Sequence, residues 1–257
     1  MPITHVLPNS PAIDHHLDMP HKHQKLHAMA YTHGGACIKK FQQGSDDKQK
    51  GVGFWYHQRN KSNGSRWAGV CKALSVYWIS CHATDVDFWG WLTHNSDTIN
   101  EKSALHICDL HGSYGSRADH GNFATRSELG LDKDGWVAFQ LGKAGVVERK
   151  GISAGQSLTH SANFGSNNIR ARGRQMAEAL CENPGCYKQF SFRRDGGGHA
   201  TALWVGEDVT FFDPNYGEYW FEKREDFKRW FSLFWEETYG SRYSKNFHIT
   251  SWGKAWI

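Results

Sequence analysis

The order of secondary-structure elements predicts an α+β fold. A helix comes first, three strand-like runs follow close together later in the chain, and an amphipathic helix comes after them. Helices and strands that are separated along the chain in this way are typical of helices packed on an antiparallel sheet. The chain has 257 residues, and we expect a poorly ordered tail over residues 1–50 and a single domain over residues 51–257.

The tail is predicted from its composition. Seven of the 16 histidines lie in the first 33 residues, and prolines interrupt any helical pattern at Pro2, Pro8, Pro11 and Pro20. Such a segment offers few apolar residues for a core. His21 and His23 suggest a pair of metal ligands, but no cysteine or carboxylate lies at the spacing of a closed zinc site. We therefore predict no metal.

Hydrophobic periodicity predicts the elements of the domain. Apolar residues at spacings of 4, 3 and 4 predict a helix over residues 70–81, with Val70, Leu74, Tyr77 and Cys81 on one face. Residues 96–165 show no sustained period, and the clearest strand there covers residues 136–141. The rest of the chain predicts a helix, three strands, an amphipathic helix and a last strand, over residues 169–179, 186–192, 200–205, 209–213, 226–239 and 247–252.

Charge and composition exclude several classes of protein. The net charge is +4 and no block of five or more basic residues occurs, so we expect no nucleic-acid partner. No apolar run approaches the roughly 18 residues of a membrane span, and the first 35 residues lack the pattern of a conventional signal peptide. Six cysteines are too few for a disulfide scaffold. We expect mostly buried thiols, with Cys181 and Cys186 as packing residues beside a turn.

Cys71 lies in a setting that favours a reactive thiol. It occupies the first turn of the predicted helix, where free backbone N–H groups and the helix dipole lower a thiol pKa. Gly69 allows a sharp turn before it, and Lys72 adds a positive charge. The competing interpretation is a small buried core residue, which is the usual environment of a free cysteine.

A general base and its orienting group are predicted on one hairpin. His199 precedes a strand, residues 206–208 form a three-residue turn, and the return strand ends at Asp213. If Val205 faces Val209, the alternation of side chains places His199 and Asp213 on the same face as diagonal neighbours. The competing interpretations are a structural histidine and an aspartate that caps a turn.

Three motifs around these residues resemble a known family. They are Gly69-x-Cys71-x-Ala73-Leu74-Ser75-x-x-Trp78-Ile79, Gly198-His199-Ala200-x-Ala202 and Phe212-Asp213-Pro214-Asn215-x-Gly217-Glu218. Together they are similar to the YopT/AvrPphB family of papain-like cysteine proteases, which bacterial pathogens deliver into host cells. The resemblance covers roughly residues 60–240. It implies a papain-like fold, in which a buried helix carrying the cysteine packs on an antiparallel sheet carrying the histidine and the aspartate.

The resemblance also implies catalytic roles. Cys71 corresponds to the nucleophile, His199 to the general base and acid, and Asp213 to the group that orients the histidine during acyl transfer through a thioester. No cofactor is implied.

This sequence departs from the usual pattern of papain-like enzymes at the side chain that donates to the oxyanion. Papain-like enzymes usually carry a glutamine or asparagine five or six residues before the cysteine. Here those positions hold Arg66 and Ser65, and Asn63 lies slightly too early. The backbone N–H of Cys71 remains a donor, and its partner is expected among these three side chains.

The resemblance implies partners and a place of action. It implies a host protein substrate, either a small GTPase or a protein kinase, and it allows a membrane-associated substrate. It also implies secretion by a dedicated apparatus without a conventional signal peptide and action in the host cytoplasm. We expect a monomer.

Two other functions remain open at this stage. A transglutaminase or deamidase uses the same order of Cys, His and Asp and the same thioester, but forms an isopeptide bond or releases ammonia. A non-catalytic binding module on the protease scaffold is favoured by the missing oxyanion amide.

Overall fold

The computed structural model describes residues 19–59, 69–94, 98–115, 123–149, 160–163, 168–243 and 246–255. The helices are α1 (Met19–Thr32), α2 (Gly53–Arg59), α3 (Cys71–Ala83), α4 (Phe88–Leu92), α5 (Glu101–Gly115), α6 (Lys133–Gly142), α7 (Ile169–Cys181) and α8 (Arg224–Thr238). The strands are β1 (Gly35–Lys39), β2 (Thr93–His94), β3 (Thr98–Ile99), β4 (Val146–Glu148), β5 (His160–Asn163), β6 (Cys186–Arg194), β7 (Gly197–Val205), β8 (Val209–Asp213), β9 (Gly217–Phe221) and β10 (Asn246–Lys254).

One antiparallel sheet organises the described part of the chain. Its order is β1-β9-β8-β7-β6-β10-β4, with β5 also paired to β10. Side chains alternate along each strand, so Ala202 and Phe212 enter a core with α3. Their neighbours Leu203 and Phe211 enter a second core with α1, α7 and α8 on the opposite face. The predicted α+β fold is therefore confirmed, with helices on both faces of an antiparallel sheet.

The helix that carries Cys71 lies where the periodicity predicts it. It begins at Cys71 and ends at Ala83, with Val70 as its N-cap residue. Leu74 and Ile79 are fully buried. The helix packs against β7 and β8, and this packing holds its N-terminus beside the strand that carries His199.

The strand predicted over residues 136–141 is wrong, because this segment belongs to helix α6. The carboxylate of Asp132 caps that helix by accepting a hydrogen bond from the Gly135 N–H at 2.7 Å. Trp136 and the residue after it are buried, and so are Gln140 and the residue after it. Buried pairs four positions apart are typical of a helix. A short apolar run does not distinguish a strand from a buried helix by its pattern alone. Helix α5 was likewise missed in the region without a sustained period.

The prediction of a poorly ordered tail is wrong for residues 19–50, and residues 1–18 lie outside the described residues. Helix α1 buries Leu26 and Ala30 in the core that it shares with α8. Strand β1 pairs with β9 at the edge of the sheet. Pro20 falls in the first turn of α1, where the N–H that proline lacks has no intrahelical acceptor.

The start of β9 explains one glycine of the third motif. Gly217 has φ of +100°, and a Cβ at this position would lie 1.9 Å from the Lys39 carbonyl oxygen. Only glycine combines this backbone angle with so close an approach of β1. The motif residue therefore allows the N-terminal strand to join the sheet.

Helix α1 offers a direct test of its place in the core. Leu26→Ala is expected to lower the free energy of unfolding by about 2–5 kcal/mol, because the side chain is fully buried. Tyr31→Ala, in the same helix but 84% exposed, is expected to change it by less than about 0.5 kcal/mol. Denaturant unfolding of both variants measures the difference. Equal and small effects would contradict the assignment of α1 to the folded domain.

The prediction that the cysteines beside the turn are buried packing residues is confirmed. Cys181 and Cys186 are free thiols and both are buried. The Cys186 thiol donates a hydrogen bond to the Asn183 carbonyl oxygen at 2.9 Å. Within the described ranges, no group of three histidine, cysteine or acidic residues is placed to hold a metal ion.

Among the described residues, no helix is both long enough and apolar enough to cross a membrane.

Candidate active site

The structure brings Cys71, His199 and Asp213 together. Cys71 and His199 line one cleft of about 640 Å³, and the imidazole lies close enough to the thiol to lower the pKa of Cys71. Nε2 of the imidazole lies 3.1 Å from Asp213 Oδ1. His199 is 5% exposed and Asp213 is fully buried, so water does not compete for their hydrogen bond.

The hairpin geometry follows the register that the sequence predicts. Val205 pairs with Val209, and Ala202 pairs with Phe212. The Gly206 N–H donates to the Asp208 carbonyl oxygen at 2.8 Å and closes the three-residue turn. An odd number of turn residues keeps the histidine and the aspartate on one face of the sheet.

The backbone before Cys71 turns sharply to expose the thiol. Gly69 has φ of +77°, a conformation that favours glycine. The first helical hydrogen bond runs from the Leu74 N–H to the Val70 carbonyl oxygen at 3.0 Å. The N–H of Cys71 lies in the first turn, where no intrahelical acceptor exists. It is therefore available to a ligand.

The environment stabilises a thiolate–imidazolium pair. Burial alone would raise the pKa of the Cys71 thiol, but the hydrogen bond and charge of His199, the Ala200 N–H and the charge of Lys72 outweigh it and lower that pKa. Burial alone would lower the pKa of His199, but the carboxylate of Asp213 and the contact with Cys71 raise it to about 10. Both shifts favour the charged form of each partner.

Tyr239 is a member of the site that the sequence analysis missed. Its hydroxyl lies 3.0 Å from His199 Nε2 and 3.0 Å from both carboxylate oxygens of Asp213. Burial raises the pKa of Tyr239 well above its ordinary value, so the hydroxyl stays protonated and donates a hydrogen bond to the carboxylate. Asn215 completes the network, since its backbone N–H donates to Asp213 Oδ1 at 2.7 Å.

Gln43 is a second residue that the sequence analysis missed. Its Oε1 accepts a hydrogen bond from the Val70 N–H, and its Nε2 donates to Asn215 Oδ1, both at 2.9 Å. One buried amide thus joins the start of the cysteine helix to the loop after Asp213. Gln43 lies in the stretch that the sequence analysis assigned to a disordered tail, so no signal drew attention to it.

The side-chain oxyanion donor stays a prediction. Asn63, Ser65 and Arg66 lie outside the described residues. The backbone N–H of Cys71, in the first turn of α3, likewise stays a predicted donor.

Two further motif residues hold the core beneath the site. The carboxylate of Glu218 accepts hydrogen bonds from the indole N–H groups of Trp78 at 3.1 Å and Trp89 at 2.6 Å. Trp78 also stacks on Phe212 of β8. These contacts fix the helix of Cys71 against the strand of Asp213.

The Tyr239 hydroxyl can be tested by its removal. Tyr239→Phe is expected to lower the free energy of unfolding by about 1–3 kcal/mol, because a buried carboxylate loses a hydrogen-bond donor. Tyr243→Phe is the control: that ring also packs beside Phe192, and its hydroxyl has no hydrogen bond to any described residue. We expect a change within about 0.5 kcal/mol for the control. Equal values in denaturant unfolding would contradict the role given to Tyr239.

Comparisons with known proteins identify relatives of this chain. The family model Peptidase_C58, described as Yersinia/Haemophilus virulence surface antigen, matches residues 27–252. The cysteine protease yopT1 of Yersinia enterocolitica is 29% identical over 199 residues, which are 72% of this chain and 56% of that protein. The protein adenylyltransferase and cysteine protease IbpA of Histophilus somni is 25% identical over 211 residues, which are 80% of this chain and 5% of that protein.

A solved structure shows the same fold. The crystal structure of the Pseudomonas avirulence protein AvrPphB aligns with a TM-score of 0.50 at 19% identity, over 75% of this chain and 93% of that one. The predicted papain-like fold and the family resemblance are confirmed. The chain spans about half the length of the yopT1 relative, since the match covers 56% of that protein. Because the family model matches most of its length, the chain belongs to the Peptidase_C58 family of cysteine peptidases.

Proposed function

We propose that this chain is a cysteine endopeptidase that cleaves host proteins. In this proposal Cys71 is the nucleophile, His199 is the general base and acid, and Asp213 orients and stabilises the imidazolium. The observation that carries the proposal is that Cys71 and His199 line one cleft and that the imidazole contacts the buried Asp213 carboxylate at 3.1 Å. Membership of a peptidase family supports the same class of reaction.

The proposed reaction has two steps, formation of a thioester on Cys71 and its hydrolysis by water. The Cys71 thiolate attacks the carbonyl carbon of the scissile peptide, and His199 gives its proton to the leaving amine as the thioester forms. The neutral imidazole then takes a proton from water, and the resulting hydroxide attacks the thioester. Release of the new carboxyl terminus restores the thiolate, and His199 again carries its proton.

Stabilisation of the tetrahedral intermediate is assigned to the start of α3. The Cys71 N–H and the positive end of the helix dipole lie beside the thiol. A side chain from Asn63, Ser65 or Arg66 is proposed as the second donor.

The substrate and the place of action are proposed from the family. A host protein is the proposed substrate class, with a small GTPase or a protein kinase as the specific candidates and a membrane-associated form allowed. The proposed place of action is the host cytoplasm, after secretion without a conventional signal peptide. The proposed acting form is a monomer.

The products of the reaction test the proposal. Host-cell lysate is treated with the wild-type chain or with Cys71→Ala, and new N-termini are identified by mass spectrometry. New N-termini that depend on Cys71 are the expected result. Isopeptide bonds or released ammonia instead would indicate a transglutaminase or deamidase, and no covalent change would indicate a binding module.

A further inference from the structure

The cleft beside Cys71 concentrates positive charge. Four basic residues line it, and Asp134 is the acidic residue among the lining residues. The basic residues are Lys72, Lys133, Arg193 and Arg194. These cations come from α3, α6 and β6, so folding assembles them from distant parts of the sequence. The net charge of the whole chain is only +4, which makes the charge in the cleft a local feature.

Lys72 is the cation next to the nucleophile, and its partners are neutral. Its Nζ donates to Gln189 Oε1 at 2.8 Å and to Ser191 Oγ at 3.1 Å. In the described segments, no carboxylate lies in ion-pair contact with it. An ammonium group has three donors, so one N–H is left for a further acceptor. Gln189 and Ser191 fix the group at the floor of the cleft without neutralising it.

The surroundings of Lys72 favour an anion. Burial lowers the pKa of its ammonium to about 8, the charges of Cys71 and Asp134 oppose that shift, and those of Arg193 and Lys133 add to it. A partly desolvated cation with neutral partners gains more from a carboxylate than a solvated surface lysine does.

We propose that Lys72, flanked by Lys133 and Arg193, forms a subsite for an acidic side chain of the substrate. The protease would therefore select a segment with aspartate or glutamate within a few residues of the scissile bond, since Lys72 and Cys71 line the same cleft. The same cations repel a polybasic segment. This inference rests on the proposed function and adds a substrate class to it.

The charge preference can be measured before any substrate is known. Iodoacetate and iodoacetamide both alkylate thiolates, but only iodoacetate carries a carboxylate. The ratio of their rate constants at Cys71, measured by mass spectrometry of the peptide that contains it, reports the field in the cleft. The ratio is independent of the thiolate fraction, because both reagents require the same thiolate.

Variants of the cations give the expected result. Lys72→Met is expected to lower the iodoacetate-to-iodoacetamide ratio by ~3- to 10-fold, and Arg193→Gln by a smaller factor. Lys143→Gln, an exposed lysine outside the cleft that donates to Gln140, is the control and is expected to leave the ratio unchanged. Raising the salt concentration should lower the wild-type ratio, because screening weakens the field.

The outcomes separate the subsite from the proposed function. A ratio that stays unchanged in both Lys72→Met and Arg193→Gln would overturn the subsite. Arg193 is exposed, so its variant gives a result even if Lys72→Met disturbs helix α3. Alkylation of Cys71 by both reagents no faster than that of free cysteine would contradict the proposed function itself.

Discussion

Cys71→Ala is expected to lower peptide hydrolysis by a factor on the order of 10⁶. The reason is that Cys71 provides the thiol among the described residues that line the cleft. The fold should persist, because Leu74 and its neighbours keep α3 packed. Initial rates on a peptide that spans a mapped cleavage site, together with thermal unfolding, measure both effects.

Cys81→Ala is the matched control for that variant. Cys81 lies in the same helix but is buried far from its N-terminus. We expect hydrolysis to be retained. Hydrolysis that persists in Cys71→Ala would rule out Cys71 as the nucleophile, and an equal loss in Cys81→Ala would mean that the effect is not specific to Cys71.

Asp213→Asn is expected to reduce turnover by about 10- to 100-fold and to narrow the active pH range from its basic side. Asp213 raises the pKa of His199 through its charge and its hydrogen bond. With asparagine the charge is lost, so the imidazolium releases its proton at a pH below about 10. Activity falls once the imidazolium is gone, and the basic limb of the pH–rate profile should therefore move to lower pH.

Asp213→Ala separates charge from orientation. It removes the charge and also the atom that accepts from His199 Nε2, so we expect a larger loss than with asparagine. Equal losses would mean that the charge alone matters. Full activity in the alanine variant would mean that another group orients the imidazole.

The hairpin with His199 and Asp213 could be predicted because its geometry is local. Side chains alternate with a period of two, and the turn length fixes which residues share a face. The helix over residues 70–81 could be predicted for a similar reason, since its apolar period is regular. Both inferences needed only sequence neighbours.

Other parts of the fold depend on contacts between distant residues. Helix α1 buries little beyond Leu26 and Ala30, and its stability comes from the core that receives them rather than from its own pattern. The segment over residues 136–141 is too short for its pattern to separate helix from strand, and the cap from Asp132 decides between them.

The two site residues that the sequence analysis missed also depend on contacts between distant parts of the chain. Gln43 contacts Asn215 across 172 positions of sequence, and Tyr239 contacts Asp213 across 26. No spacing or motif marks either residue before the chain is folded. Chemistry that lies within one hairpin or one helix turn could be predicted, whereas the hydrogen bonds that join those elements could not.

The pKa of the Cys71 thiol is the central quantity, and ultraviolet thiolate absorbance as a function of pH measures it directly. Burial raises the pKa of Cys37 to about 11 and those of the buried Cys81, Cys108 and Cys181 to about 12. Subtracting the curve of Cys71→Ala leaves the signal of Cys71 alone. We predict that this signal titrates below the ordinary thiol value of 9.0. A signal that appears only at pH 9 or above would contradict activation of Cys71 by the His199–Asp213 pair.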